Sequence, residues 1–190
     1  MCGRYDTGDS DEMQSIVEEI NRSATRLIAG SPVKVGEIFP GDVAPALCLS
    51  RGGAVRPFPM RWGYSLSDGR RVINARSETA AQKPLFQDGI ARRRCLLPMV
   101  AYFEWARTDG GKLKYRIAPH GGLSYLAGVY RFEGTAPVFA VLTRAAVQDI
   151  TFIHDRMPVI LSQANVNCWL LSGEYAPESA VEFQPEPGSR

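Results

Sequence analysis

Short runs of β-branched and aromatic residues recur through the middle of this 190-residue chain, and they constrain its fold more than any other feature. Each run is bounded by Gly, Pro or Asp, a pattern typical of strands joined by turns. Asp109-Gly110-Gly111 separates two of the runs and predicts a β-hairpin. The predicted strands cover residues 46–51, 55–63, 72–74, 95–105, 114–117, 125–130 and 138–143.

Helices are predicted near the two ends of the sequence. Asp9 and Ser10 are typical helix N-cap residues, and apolar residues follow them at helical spacing. Residues 162–172 predict a short late helix. The Pro- and Gly-containing stretch 32–45 predicts irregular structure between the first helix and the strands.

These patterns together predict one α+β domain, in which antiparallel strands form a β-barrel-like core and a few helices flank it. The length of the chain suits a single domain with a sizeable core, and hydrophobic residues, at 45%, are plentiful enough to fill it. We expect this domain to span residues 1–176. The Pro- and Glu-rich segment 177–190 predicts a loose C-terminal tail.

The composition argues against several classes of protein. No apolar stretch is long enough to cross a membrane, and no basic segment precedes an apolar run, so we expect a cytoplasmic protein. The four cysteines and two histidines are scattered without metal-ligand spacing, so neither a metal nor a cofactor is predicted. Cys48, Cys95 and Cys168 have apolar neighbours and are expected in the core. The net charge of +2 neither demands nor excludes nucleic acid as a partner.

Cys2 carries the most distinctive chemistry, because removal of Met1 would leave an α-amine and a thiol on adjacent carbons. The amine can attack an aldehyde to form a Schiff base, and the thiol can then close a thiazolidine ring. The alternative is an incidental residue at a frayed terminus. Gly3 and Arg4 favour a function, since Gly3 permits a tight bend and Arg4 offers a fixed cation for a phosphate.

Asn74 and Arg76 are two residues apart at the end of an apolar strand, so both side chains are expected on the same side. An amide that anchors the Cys2 end and a guanidinium that binds a phosphate would fit one pocket. A turn in which Asn74 hydrogen-bonds its own backbone is equally compatible with the sequence.

Glu104 is a carboxylate within the aromatic run Tyr102-Phe103-Glu104-Trp105. Burying a carboxylate there is costly unless it is paired or protonated, and a buried carboxyl group suits a general acid or base. Strand alternation leaves a second possibility, in which Glu104 faces solvent and Trp105 faces the core.

His154 lies in Ile153-His154-Asp155-Arg156-Met157-Pro158 and is a candidate for proton transfer. A lone histidine is more often a structural residue, so that interpretation stays open. Asp155 and Arg156 are expected either to form a surface ion pair or to leave Arg156 available to DNA.

In combination, these segments resemble the SRAP family (SOS-response-associated peptidase domain), whose members are also described as abasic-site processing proteins. The matches occur in family order from residue 1 to about residue 161. The matching segments are Met1-Cys2-Gly3-Arg4-Tyr5, Asp42-Val43-Ala44-Pro45, Arg61-Trp62-Gly63-Tyr64, Ile73-Asn74-Ala75-Arg76-Ser77-Glu78-Thr79, Phe103-Glu104-Trp105, Leu142-Thr143 and Ile153-His154-Asp155-Arg156-Met157-Pro158.

The resemblance implies a monomeric enzyme that acts on abasic sites in single-stranded DNA. Cys2, once Met1 is lost, would form a thiazolidine crosslink with the ring-opened sugar, and Asn74 would position it. Glu104 would act as general acid and base, and His154 would assist proton transfer in opening the sugar and in reversing the link. The residues expected to contact DNA are Arg4, Arg76, Thr143 and Arg156.

The family name further implies a thiol peptidase that removes its own Met1, alongside a lyase-like activity on DNA. Two other functions stay open on the residues alone. One is an N-terminal-nucleophile amidohydrolase, and the other is a non-catalytic module that binds single-stranded DNA. Residues 65–71 lack the aromatic side chains of longer relatives, so Arg70 and Arg71 are expected to hold the DNA backbone there instead.

Overall fold

Strands dominate the computed structural model, which describes residues 2–22, 28 and 32–186. In chain order the strands are β1 (Tyr5–Asp6), β2 (Glu37–Ile38), β3 (Val43–Leu49), β4 (Val55–Trp62), β5 (Tyr64–Ser65), β6 (Arg71–Val72), β7 (Asn74–Arg76), β8 (Arg94–Met99), β9 (Ala101–Thr108), β10 (Gly111–Pro119), β11 (Ser124–Glu133), β12 (Ala136–Ala145), β13 (Arg156–Pro158), β14 (Ile160–Leu161) and β15 (Val181–Pro185). The α-helices are α1 (Asp11–Asn21), α2 (Ser77–Ala80), α3 (Pro84–Arg92) and α4 (Val166–Ser172).

Five strands close into a barrel. The closed order is β12–β4–β3–β8–β11 and back to β12. The β12–β4 pairing is parallel, and the other four pairings are antiparallel. Closure removes exposed strand edges from the ring, which protects it from edge-to-edge association. The predicted α+β domain with a barrel-like core is confirmed.

A second sheet, in the order β15–β10–β9–β1–β2, packs against the barrel. Apolar side chains of this sheet and of the barrel meet in one buried cluster. At its centre the Trp62 ring stacks on Phe139 with centroids 6.0 Å apart, and its edge meets Tyr5 at 5.2 Å. Burying aromatic rings of this size is among the largest apolar contributions to folding. The cluster therefore fixes the second sheet on the barrel.

Helices α2, α3 and α4 cover the outer face of the barrel and share a second buried cluster with it. Gly89 of α3 lies so close to β11 that a Cβ there would approach Val129 to 2.9 Å. Trp169 of α4 donates a 2.9 Å hydrogen bond to the carbonyl of Cys95 in β8. Helix α1 begins at the predicted N-cap, where the Ser10 hydroxyl accepts a hydrogen bond from the Met13 amide.

The structure differs from the sequence prediction between residues 95 and 105. The expected single strand is two, because β8 belongs to the barrel and β9 to the second sheet. The chain turns between them at Val100, whose amide donates to the Asp6 carbonyl at 2.8 Å. The apolar run continues through the turn, and the nearby Pro98 lies inside β8 rather than at the turn itself.

Residues 32–45 are also more regular than predicted. Strand β2 lies inside this stretch, and β3 begins at Val43. Pro45 is tolerated in β3 because it lies opposite Pro59 of β4, a position where neither residue can donate an N–H to the ladder.

The prediction of a loose tail is wrong for residues 181–185. These residues form β15, which pairs with β10 over five positions. The alternation of Val181, Phe183 and Pro185 with polar residues gives this strand one apolar face.

Cys168 is exposed rather than buried. Trp169 and Leu170 occupy the inward face of the short helix α4, so the preceding position faces solvent. The described part of the chain contains no helix with the length and hydropathy of a transmembrane span.

Candidate active site

Asn74 connects the start of the chain to the barrel. Its Nδ2 donates a 2.8 Å hydrogen bond to the carbonyl of Cys2. Asn74 is held in register by the parallel pairing of β7 with β12, where it lies opposite Val141. The indole N–H of Trp62 donates to the Ile73 carbonyl at 3.0 Å and fixes the residue before it. Asn74 therefore hydrogen-bonds to Cys2 across the fold.

The Cys2 side chain is fully buried, with its Sγ 3.9 Å from the Arg4 carbonyl. Burial raises the pKa of the Cys2 thiol well above its usual range, and the negative charge of Glu104 raises it further. Cys2 lies in the same buried cluster as Tyr102, which is two residues before Glu104 and on the same face of β9.

Glu104 faces inward on β9 and is 5% exposed. The alternative in which it faces solvent is therefore wrong. Strand β1 runs beside β9, with Tyr5 opposite Tyr102 and the Phe103 amide donating to the Arg4 carbonyl at 2.9 Å. Because of this pairing, the residues that precede Tyr5 run alongside Glu104.

Buried polar atoms surround this position. Within the described part of the chain, the hydroxyls of Tyr5 and Tyr102 and the Oδ1 of Asn74 have no hydrogen-bond partner. Burial raises the pKa of the Tyr102 hydroxyl, and the neighbouring Cys2 and Glu104 raise it further. Unsatisfied buried groups are costly, so these atoms are candidates for hydrogen bonds to a polar ligand.

His154 lies in the loop between β12 and β13. Its Nδ1 accepts a 2.9 Å hydrogen bond from the Arg156 amide, and Asp155 Oδ1 is 2.8 Å from the same nitrogen. Both contacts cannot be hydrogen bonds in one protonation state: a neutral Nδ1 accepts from the amide, whereas a protonated one donates to Asp155. The ring thus has a partner at Nδ1 whether that nitrogen accepts or donates.

The loop of His154 is joined to the strand pair of Glu104. Tyr115 of β10 lies directly opposite Glu104 in the sheet. Its ring meets Phe152, two residues before His154, edge to face at 5.6 Å. The structure therefore brings the His154 loop and Glu104 to the same region of the second sheet.

Arg4 lies on the opposite face of β9 from Glu104. It contacts Glu37 at 3.2 Å, and its guanidinium lies over the rings of Phe39 at 4.3 Å and Trp105 at 4.9 Å. Cation–π contacts and an ion pair hold it in one place. Any phosphate that binds Arg4 must share it with Glu37.

Arg156 pairs with Glu78 rather than with Asp155. Its two terminal nitrogens contact the two carboxylate oxygens at 2.7 and 2.9 Å, and one also donates to the buried Thr143 carbonyl at 2.7 Å. The bidentate bond from Arg156 lowers the pKa of Glu78 to about 2. Arg76, opposite Thr143 in the β7–β12 pair, is exposed.

Arg70 and Arg71 differ in their contacts. Arg70 pairs with Asp68 at 2.7 Å on an exposed turn. Arg71 donates to the Trp62 carbonyl at 3.3 Å and packs across Gly63, where a Cβ would approach its side chain to 2.3 Å. Gly63 also has a φ of +105°, so both the lack of space for a side chain and the backbone conformation favour glycine there.

Several residues of this region were absent from the sequence-based prediction. Trp62, Glu78 and Tyr115 support the candidate residues, but each contact spans a long sequence separation. Glu78 and Trp62 lie within segments that carry the family resemblance, and this resemblance could have identified them. No group of three or more His, Cys, Asp or Glu side chains in residues 2–22, 28 and 32–186 has the geometry of a metal site.

Residues 1–189 match the family model described as "SOS response associated peptidase (SRAP)". The chain belongs to the SRAP family. Among similar proteins, YoqW of Bacillus subtilis, named an abasic site processing protein, is 31% identical over 188 residues, covering 90% of this chain and 80% of its own. YedK of Escherichia coli, which has the same description, is 30% identical over 198 residues, covering 95% of this chain and 86% of its own.

Solved structures have the same SRAP fold. A phage-related protein from Bordetella bronchiseptica superposes with a TM-score of 0.74 at 25% identity, covering 98% of this chain and 95% of its own. A second protein from the same organism gives a TM-score of 0.76 at 19% identity, covering 97% of this chain and 99% of its own. The family and fold predicted from the sequence are therefore confirmed.

Proposed function

We propose that this SRAP protein processes abasic sites in single-stranded DNA by forming a thiazolidine crosslink through Cys2 after Met1 is removed. The observation that carries the proposal is the Asn74–Cys2 hydrogen bond, which anchors the reactive residue beside the strand that bears Glu104. The names of the similar proteins from Bacillus subtilis and Escherichia coli support the same substrate.

The reaction begins when the abasic sugar opens from its cyclic hemiacetal to the aldehyde. A proton must leave the anomeric hydroxyl and another must reach the ring oxygen. His154 suits this transfer, because its Nδ1 has a partner in both the neutral and the protonated state.

The free α-amine of Cys2 then attacks the aldehyde carbon and forms a carbinolamine. Protonated Glu104 donates its proton to the carbinolamine hydroxyl, which leaves as water, and a protonated imine that keeps its N–H results. At this point Glu104 is a carboxylate. The Asn74 bond holds the Cys2 carbonyl still, so the amine of the same residue keeps its orientation.

The thiol closes the ring in the final step. Burial and the Glu104 charge keep the Cys2 thiol protonated at neutral pH, so it must lose its proton as sulfur attacks the imine carbon. The Glu104 carboxylate accepts that proton, and the C=N electron pair moves onto the nitrogen, which keeps its own proton and becomes a secondary amine. Overall, one water is released and the carboxyl group returns to its starting state.

DNA would be held by the cations that surround the pocket. Arg76 is exposed beside Asn74, and a phosphate there would lie close to the reacting sugar. Arg4 and Arg156 are already paired with Glu37 and Glu78, so in the proposal they bind phosphate while keeping those partners. Thr143 supports Arg156 through its carbonyl.

The test is incubation of the Met1-free protein with single-stranded DNA that carries one abasic site. We expect a heat-stable adduct that Cys2→Ala abolishes and that Cys168→Ala, at an exposed cysteine, leaves unchanged. Full crosslinking by Cys2→Ala would overturn the proposal. Salt-sensitive DNA binding without any adduct would favour a non-catalytic module, and ammonia release from glutamine would favour an amidohydrolase.

A further inference from the structure

Two of the large apolar side chains most exposed to solvent lie next to each other near the candidate site. Phe152 is 57% exposed and Phe183 is 39% exposed. Their rings meet edge to face, with centroids 5.5 Å apart. Tyr115 contacts Phe152 at 5.6 Å and Phe183 at 6.3 Å, so the three rings form one cluster, which we call the aromatic platform.

The platform lies on the same sheet face as Glu104. Residues that are directly opposite in antiparallel strands share a face. One row across the sheet runs Pro185–Tyr115–Glu104, and the next runs Phe183–Ile117–Tyr102. The face that buries Tyr102 and Glu104 therefore continues outward to two platform residues.

The third ring comes from the loop that carries His154. Phe152 is two residues before His154 and closes over Tyr115. The platform thus lies between β10, which pairs with the strand of Glu104, and the loop that carries His154. A strand of DNA whose abasic sugar reached that pocket would pass beside these rings.

The acidic side chains of β15 and of the residue after it lie on one face of the strand, and the other face, which bears the platform, is uncharged. The uncharged face suits the approach of a DNA strand. The acidic neighbours Glu182 and Glu186 lie on the opposite face from Phe183, where Glu186 pairs with Lys114 at 2.7 Å. The side of β15 that bears the platform carries Val181, Phe183 and Pro185, which are uncharged. Repulsion between the strand and a phosphate backbone is therefore reduced there.

We propose that the aromatic platform of Tyr115, Phe152 and Phe183 binds an unpaired nucleobase adjacent to the abasic site by stacking. The inference rests on the proposed function for the position of the DNA. Exposed aromatic faces take bases of any sequence, because every base has a π-surface, and each stacked base contributes substantially to affinity.

The test uses single-stranded DNA with a tetrahydrofuran analogue at the abasic position, so that binding is read without any crosslink. We expect the double variant Phe152→Leu/Phe183→Leu to bind about tenfold more weakly than the wild type. The matched control is Phe132→Leu, which alters a phenylalanine of similar exposure, 54%, on β11. It should bind as the wild type does.

A second strand separates stacking from general damage to the fold. When the bases that flank the analogue are replaced by further analogue units, the double variant and the wild type should bind within roughly twofold of each other. Equal binding to the base-containing strand by both proteins, or an equal loss in Phe132→Leu, would overturn the proposal. If the double variant unfolds, Phe152→Leu alone decides, since it leaves β15 unchanged.

The two proposals fail in different ways. Equal analogue binding by the double variant and the wild type would defeat the platform, while crosslinking by the wild type would still support the proposed reaction. Absence of crosslinking in the wild type would defeat the proposed reaction, yet the analogue-binding comparison would still decide whether the platform stacks on bases.

Discussion

Asn74 and Cys2 are 72 positions apart in sequence, and a 2.8 Å hydrogen bond joins the side-chain amide of one to the carbonyl of the other. The bond depends on two features of the fold. Strand β7 pairs in parallel with β12, and β1 pairs with β9, so the barrel and the second sheet meet at this contact. The position of the proposed nucleophile is therefore set by tertiary structure and not by the local sequence around it.

Asn74→Ala should slow crosslinking by about tenfold or more while the protein stays folded. The variant loses one hydrogen bond, worth about 1 kcal/mol of stability, but it also frees the Cys2 backbone to move. Asn74→Asp should be slower still, because a carboxylate cannot donate to the Cys2 carbonyl and its negative charge also repels that oxygen. Single-turnover crosslinking together with denaturant unfolding measures both effects, and a wild-type rate in Asn74→Asp would contradict the assigned role.

Trp62→Phe should cost about 1 kcal/mol of unfolding free energy, because the partly buried Ile73 carbonyl loses the indole donor and keeps only the Val141 amide. The aromatic packing on Phe139 and Tyr5 is largely kept. Since Ile73 precedes Asn74, the crosslinking rate should fall as well. Urea unfolding and crosslinking kinetics on the same samples test this, and an unchanged rate would show that Trp62 does not position Asn74.

Thiol reactivity should rank the cysteines by burial in protein that retains Met1. Cys168 is exposed, whereas Cys2 and Cys95 are fully buried, and burial raises the pKa of both thiols. Iodoacetamide at neutral pH should therefore modify Cys168 first, as read by peptide mass spectrometry. Cys168→Ser is the control and should leave the folded protein almost unlabelled. Labelling of Cys2 as fast as Cys168 would contradict the buried position.

In Glu78→Gln, the free energy of unfolding should fall less between about pH 4.5 and pH 2 than it does in the wild type. Because the pKa of Glu78 is lowered from 4.5 to about 2, its stabilising effect is complete above pH 4.5 and is lost as pH falls toward 2. The Glu78 side chain is 48% exposed, so solvent screening limits the effect to about 0.5–1 kcal/mol.

Unfolding measured across that pH range tests the prediction. Glu18→Gln is the matched control, because the Glu18–Arg22 pair is exposed on both sides, at 71% and 76%, and contributes little. Identical pH profiles for the wild type and Glu78→Gln would contradict the assigned pairing with Arg156.

Local patterns in the sequence identified the features that depend on neighbouring residues. Ser10 caps α1, and the Asp109-Gly110-Gly111 turn joins β9 to β10, as predicted. The turn at Val100 was missed because the apolar run continues through it. The strand β15 was missed because its Pro and Glu content outweighed its alternating pattern.

The partners of the arginines could not be read from the sequence. Arg4 is 33 positions from Glu37, and Arg156 is 78 positions from Glu78. Each pairing depends on strands that meet only in the folded chain. The sequence therefore nominates candidate residues, whereas the structure shows which of them already have partners.

The mass of the covalent product tests the central claim most directly. Intact-mass spectrometry of the heat-stable adduct should give the protein without Met1 plus the oligonucleotide, less one water, and borohydride should leave that mass unchanged because no imine remains. An adduct that still contains Met1, or one that gains hydrogen on borohydride treatment, would contradict ring closure by the amine and thiol of Cys2.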